Sequence, residues 1–137
     1  MNAVQHVRDA MVPEPAAVEI SASAQEAAER LSDPAVRAVL VCDDGELVGV
    51  ITRKTLVREV VAKGRDPRTT HAGDIAEPPL YTLDVALSLD DAFRELEQHD
   101  LERVPVVEDG RLVGVLSRSV LQRRLAEDEP PEDQQQV

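Results

Sequence analysis

The sequence predicts a mixed α/β fold in which two tandem copies of one unit form a pseudo-twofold pair. The first observation is an internal repeat, because a shift of 65 positions without a gap places Gly45 on Gly110 and Gly49 on Gly114. The match extends from about residue 9 to about residue 126. The second observation is that strand-like and helix-like segments follow in the same order in both copies. A unit that cannot bury its own apolar face packs against its copy, so we expect a paired module with a cleft between the copies.

The first repeat is predicted to run strand, helix, strand, turn, strand, helix. Strands are expected at residues 18–20, 38–42 and 46–51, and helices at residues 24–31 and 52–63. Either Ser21 or Ser23 can cap the first helix. The run 38–42 is continuously apolar and therefore predicts a strand that is buried on both faces. Asp43, Asp44 and Gly45 predict a tight turn.

The second repeat follows the same order. Strands are expected at residues 82–85, 103–107 and 111–116, and helices at residues 88–98 and 117–126, with a turn at residues 108–110. In its first helix, Leu89, Ala92, Phe93 and Leu96 have the spacing of one buried helix face.

These patterns divide the chain into four segments. We expect the first repeat at residues 1–63, a linker at 64–73, the second repeat at 74–126 and a disordered acidic tail at 127–137. Glycine and proline in the linker indicate a surface connection. The tail carries five acids and no base and is rich in proline and glutamine, so it cannot bury enough apolar surface to fold.

The net charge of −12 repels nucleic acid and anionic membranes, so we expect neither as a partner. It leaves open a small anion held by a local group of bases. Bases outnumber acids in residues 53–68 and 118–124, whereas residues 25–33 and 90–100 are mainly acidic. This distribution is either an ordinary solvated surface or a functional patch.

Cysteine and histidine usage predicts neither disulfides nor metal binding. Cys42 is the single cysteine, so no internal disulfide is possible, and its place in a buried strand indicates a core residue. The histidines, His6, His71 and His99, lack the spacing of metal ligands. The first eight residues lack the apolar run of a signal peptide, which predicts a soluble cytoplasmic protein.

Two similar segments point to a known family. The segment Val104-Pro105-Val106-Val107, the following Asp-Gly turn and residues 112–117 resemble the signature of a CBS domain, and residues 47–52 match it again in the first repeat. The resemblance is to small bacterial proteins that consist of one CBS pair. It implies two related clefts and frequent dimerisation. It also implies regulatory binding of adenosine compounds such as AMP, ATP or S-adenosylmethionine, and control of an attached or partner protein.

The nucleotide motif of that family has a glycine, two residues, a threonine or serine, and three positions later an aspartate that holds the ribose. Thr52 and Ser117 match the hydroxyl positions. The aspartate positions hold Thr55 and Val120, so both ribose carboxylates are missing. Loss of these acceptors should weaken recognition of the sugar.

The same substitutions favour an anionic ligand. Thr52, Arg53 and Lys54 begin one helix, and Ser117 and Arg118 begin the other, each with a hydroxyl and a base and no acid. A helix N-terminus carries partial positive charge, so each start can hold a phosphate or carboxylate. Alternatively, the two hydroxyls are only N-caps and the bases are solvated.

The sequence therefore predicts a regulatory sensor of a small anionic ligand, and the resemblance suggests an adenine nucleotide. Tyr81 either leans over the base of this ligand or packs in the core or an interface. We find no nucleophile, base and acid arrangement that indicates an enzyme. A homodimer is expected, and the alternative function is a ligand-free dimeric module that binds another protein.

Overall fold

The computed structural model describes residues 5–13 and 17–127, which form two compact units. The strands are β1 (Val12–Pro13), β2 (Ala17–Glu19), β3 (Val39–Asp43), β4 (Glu46–Ile51), β5 (Leu83–Asp84), β6 (Arg103–Glu108) and β7 (Arg111–Ser117). The helices are α1 (Val7–Ala10), α2 (Ala24–Leu31), α3 (Arg53–Leu56), which continues as a π-helix (Val57–Val61), α4 (Ala72–Ile75), α5 (Leu89–Gln98) and α6 (Arg118–Glu127). Apart from Glu127, the predicted acidic tail lies outside the described residues.

The first-repeat unit comprises described residues within 17–80 and 110–112. Strand β2 runs parallel to β3, which pairs antiparallel with β4. Helix α2 has the predicted bounds and is capped by Ser23, whose Oγ accepts a hydrogen bond from the Glu26 amide. The core of this unit consists of Val18, Ala24, Ala27, Leu31, Val39, Val41, Ile51, Val60, Ala72 and Ile75.

The second-repeat unit comprises residues 5–13, 81–109 and 113–127. Strand β5 runs parallel to β6, which lies beside β7, and β1 pairs antiparallel with β7. Its core consists of Val7, Ala10, Leu83, Val85, Leu89, Ala92, Leu96, Val104, Val106, Leu116 and Leu121. The two cores confirm the predicted repetition of strand and helix order.

Each unit includes a short helix that precedes the other repeat in the chain. Helix α1 lies in the second-repeat unit, where the Val7 amide donates a 2.8 Å hydrogen bond to the carbonyl of Leu87. Helix α4 lies in the first-repeat unit, where the Ala72 amide donates a 2.7 Å hydrogen bond to the carbonyl of Ala22. The limits predicted above for the repeats stay a prediction, because compact units need not coincide with sequence repeats.

Both predicted turns are present and nearly identical. Asp44 and Gly45 have φ values of 50° and 88°, and Asp109 and Gly110 have φ values of 53° and 81°. Two successive residues with positive φ match the right-handed twist of a two-residue β-hairpin. Each turn is followed by a strand, β4 or β7, and that strand is followed by a candidate ligand-binding helix, α3 or α6.

The helix predicted over residues 52–63 is α-helical only at its start and continues as a π-helix. Its first turn is α-helical, but the amide of Ala62 donates to the carbonyl of Val57, five residues earlier, at 2.8 Å. The resulting π-helix ends at Val61 and leaves two valine side chains exposed.

Candidate functional site

The candidate residues of the first repeat lie where β4 passes into α3. The Thr52 side chain accepts a hydrogen bond from the Thr55 amide at 3.3 Å, and the Thr55 side chain accepts one from the Thr52 amide at 3.0 Å. This reciprocal pair is a capping box. Thr55 is completely buried, so its hydroxyl satisfies the helix start and faces no solvent. The structure confirms that Thr52 acts as an N-cap.

Thr55→Val should lower the free energy of unfolding by about 1 kcal/mol, because it leaves the Thr52 amide without its acceptor while keeping the side-chain volume. Urea unfolding followed by circular dichroism measures the change. Thr55→Ser is the matched control, since it retains the hydroxyl. Unchanged stability in Thr55→Val would contradict the role of this hydrogen bond, because that variant loses the hydroxyl and keeps the side-chain volume.

The two bases after Thr52 have different environments. Arg53 donates from Nη2 to the carbonyls of Leu31 at 2.6 Å and Asp33 at 2.9 Å. Arg53 therefore caps the carbonyl groups at the C-terminal end of α2, where a positive charge is favourable. Lys54 is exposed and has no ion-pair partner within the described ranges. The first turn of α3 contains no acid, so no carboxylate of that turn offsets the charge of Lys54.

The second repeat has the same cap but a different charge balance. The Ser117 hydroxyl accepts a hydrogen bond from the Val120 amide at 3.3 Å, so this N-cap is also confirmed. The Arg118 guanidinium lies 3.3 Å from Asp100 Oδ1 and 3.5 Å from Glu102 Oε2. These two carboxylates offset the positive charge of Arg118, which an anionic ligand would need at this helix start. The partly buried Val120 side chain offers no hydrogen bond.

Tyr81 packs against an aromatic partner. Its ring stacks on His99 with centroids 4.4 Å apart and planes inclined by 28°. His99 directly follows α5, and its Nε2 lies 3.5 Å from Oε2 of Glu95 on that helix. One face of Tyr81 is therefore occupied, although the residue remains partly exposed. The sequence carries no local signal for this pair, because its members lie 18 positions apart in different elements.

A groove of about 300 Å³ in the first-repeat unit was not anticipated from the sequence. It lies at the end of α2 and the start of β3, and it is lined by Glu29, Arg30, Asp33, Val36, Ala38 and Val39. The carbonyl of Asp33 also accepts the Arg53 hydrogen bond. No motif marks this groove, since residues of mixed chemistry from α2, the following loop and β3 come together only when the chain folds.

The remaining candidate groups agree with structural roles. Cys42 is buried, and burial together with the charge of Glu19 raises the pKa of its thiol. The thiol therefore stays protonated, as is usual for a buried cysteine.

Residues 5–13 and 17–127 contain no cluster of three or more histidine, cysteine, aspartate or glutamate residues able to hold a metal ion. No helix in that part of the chain has the length and apolar character needed to cross a membrane.

Sequence comparison matches two stretches, residues 7–62 and 72–127, to the family described as CBS domain. The matches start at α1 and α4 and confirm the resemblance seen in the sequence. Hypoxic response protein 1 of Mycobacterium tuberculosis is 33% identical over 102 residues, which cover 74% of this chain and 71% of that protein. The CBS domain-containing protein YhcV of Bacillus subtilis is 31% identical over 111 residues, covering 81% and 79% respectively.

Solved structures show the same fold. The crystal structure of Hypoxic Response Protein I with two coordinated zinc ions is 29% identical with a TM-score of 0.73, covering 88% of this chain and 98% of that one. The crystal structure of CBSX2 in complex with AMP is 30% identical with a TM-score of 0.70, covering 90% and 97%.

Proposed function

Because the chain belongs to the CBS-domain family, with one domain in each repeat, we propose that this regulatory module senses an adenine nucleotide in the cytoplasm. The AMP complex of CBSX2, a structure of similar fold at 30% identity, supports the choice of ligand. We assign it no catalytic step. Binding would change the module's interaction with a partner protein.

The observation that carries this proposal is the start of α3. It combines a hydroxyl cap, helix amides, no acid in the first turn and the exposed Lys54. Partial positive charge at the helix start and a full charge on Lys54 both favour a phosphate group. Arg118 in the second repeat already faces two carboxylates, so the first repeat should bind the ligand more tightly.

The environment of Thr55 and Val120 indicates which part of the ligand is recognised. The Thr55 hydroxyl is committed to the capping box, and Val120 has no polar atom. Neither can replace a carboxylate that binds both ribose hydroxyls. Recognition should therefore depend on phosphate, which favours AMP and ATP over S-adenosylmethionine. Arg53, Ser117 and Tyr81 remain proposed contributors, the first by positioning the end of α2.

Nucleotide affinity should rise from adenosine to AMP to ATP and fall with added salt, as titration calorimetry can measure. Lys54→Ala should weaken AMP binding by about tenfold, corresponding to loss of one charge-assisted hydrogen bond of about 1.5 kcal/mol. Ser119→Ala is the matched control, because Ser119 holds the same position in the second repeat. Equal affinity for adenosine and AMP, or equal losses in the two variants, would contradict phosphate recognition at α3.

A specific observation favours a second candidate, a ligand-free dimeric module for protein interaction. Val57 and Val61, four residues apart on the π-helix, are 59% and 72% exposed, so the helix presents two apolar side chains to solvent. In this alternative no adenine nucleotide binds, and the module works as a homodimer that presents a surface to another protein. The same calorimetric series separates the two functions, and a homodimer is part of both.

A further inference from the structure

The second repeat supplies acids of its own to the start of α6. The Arg118 guanidinium lies 3.3 Å (Nη1) and 3.4 Å (Nη2) from Oδ1 of Asp100, and its Nη2 lies 3.5 Å from Oε2 of Glu102. The backbone amide of Arg118, the first of α6, donates a 2.7 Å hydrogen bond to the carbonyl of Glu102. The charged group and the first amide that an anion would contact at this helix start are therefore both occupied by the chain itself.

The first repeat differs at the matching positions. A shift of 65 positions takes Asp100 and Glu102 to Ala35 and Arg37, so a neutral residue and a base stand in place of the two acids. The Arg53 guanidinium bonds to main-chain carbonyls, and in the part of the chain that the structure describes it has no carboxylate partner. The carboxylates are thus a feature of one repeat only.

The end of α5 determines where Asp100 lies. The amides of Asp100 and Leu101 donate to the carbonyls of Glu97 and Leu96, at 3.2 Å and 2.8 Å, and Asp100 has a φ of 51°. This is a Schellman motif, in which the left-handed residue is usually glycine and sometimes asparagine. The backbone therefore does not require an acid at this position, and asparagine can replace Asp100 without changing the turn.

We propose that Asp100 and Glu102 act as an internal anion that closes the start of α6 to phosphate, so that each chain binds one nucleotide, at the first repeat. An incoming phosphate would have to displace carboxylates that belong to the same chain and are therefore present at high effective concentration. The two acids determine which repeat binds the ligand. This inference rests on the proposed function for the choice of nucleotide and deepens it by identifying the residues that select the repeat.

Removal of the two negative charges tests the proposal. Asp100→Asn with Glu102→Gln keeps the shape of both side chains and frees the charge of Arg118. The two acids are 91% and 57% exposed, so the fold should be retained, because exposed ion pairs contribute little to stability. In titration calorimetry with AMP, the wild-type chain should bind one AMP and this double variant should bind two. Asp90→Asn with Glu97→Gln is the matched control, since it removes two exposed acids from α5 and should leave the stoichiometry at one.

A third substitution identifies the position of the gained site. Arg118→Ala, added to Asp100→Asn with Glu102→Gln, should weaken only the second AMP, because it removes the base that the double variant has freed. Lys54→Ala, added to the same double variant, should weaken only the first. Loss of the second AMP with Lys54→Ala and not with Arg118→Ala would place the gained site elsewhere and contradict the proposal.

The stoichiometry separates this inference from the proposed function. Two AMP molecules bound per wild-type chain, a stoichiometry unchanged in the double variant, or an equal gain in the control would overturn the internal anion. A wild-type chain that binds no AMP, together with a double variant that binds one, would remove the nucleotide site of the first repeat and retain the internal anion. If neither chain binds AMP, both proposals are wrong.

Discussion

Leu116→Ala is expected to lower the free energy of unfolding by about 3 kcal/mol. Leu116 is completely buried in β7, where it belongs to the core of the second-repeat unit with Leu96 and Val106. Removal of a buried leucine side chain loses its transfer free energy and leaves a cavity that the surrounding strands fill only in part. Urea unfolding at equilibrium gives the change directly, provided that the slope with denaturant stays constant.

Leu80→Ala is the matched control for this prediction. Leu80 is 88% exposed, so the same chemical change should alter stability by less than about 0.5 kcal/mol. If Leu116→Ala were as mild as Leu80→Ala, the packing of β7 described above would be wrong. The comparison separates burial from any general effect of replacing leucine.

Gly49→Ala should destabilise the first-repeat unit by about 2 kcal/mol. A Cβ atom at residue 49 would lie 2.6 Å from the Cβ of Ala76 and 3.1 Å from the carbonyl oxygen of Glu77. Glu77 is held in place by reciprocal backbone hydrogen bonds with Val50, of 2.8 Å and 2.9 Å. The added methyl group therefore forces backbone apart, which costs more than moving a flexible side chain.

A compensating substitution tests the cause. Ala76→Gly removes the methyl group that a Cβ at residue 49 would meet, so the double variant should recover about half of the stability lost in Gly49→Ala. The Glu77 carbonyl contact remains, which prevents full recovery. Additive losses in the double variant would show that the close approach of Ala76 is not what requires glycine at residue 49.

The regular elements were predictable because strong local signals determine them. Helix α2 was predicted with its observed bounds, since an alanine-rich run lies between a serine cap and the Asp33-Pro34 break. The hairpin turns were predictable from the Asp-Gly pairs. By contrast, α1 and α4 have four residues each, too few for a periodic pattern, and are stabilised by long-range contacts. The sequence pattern did not indicate that α1 lies in the second-repeat unit or that α4 lies in the first-repeat unit.

The candidate site was predictable in its caps and not in its charge balance. The hydroxyl and base order identified Thr52 and Ser117, and both cap their helices. The partners of Arg53 and Arg118 lie at the end of α2 and in the loops that follow α2 and α5, at least 16 residues away along the chain. Only folding brings these groups within hydrogen-bond distance, so the difference between the two repeats is a tertiary effect.

The position of α1 in the second-repeat unit affects the order in which the chain folds during synthesis. Val7 and Ala10 are synthesised before the strands and helices that cover them, which come from residues 81–127. Helix α1 therefore lacks these packing partners until residues 81–127 have been translated. Such distant contacts slow folding, because the entropy of closing the long loop is lost before the contacts form. The second-repeat unit should therefore acquire its stable core only after residues 81–127 have been synthesised, and removal of α1 should affect this late step first.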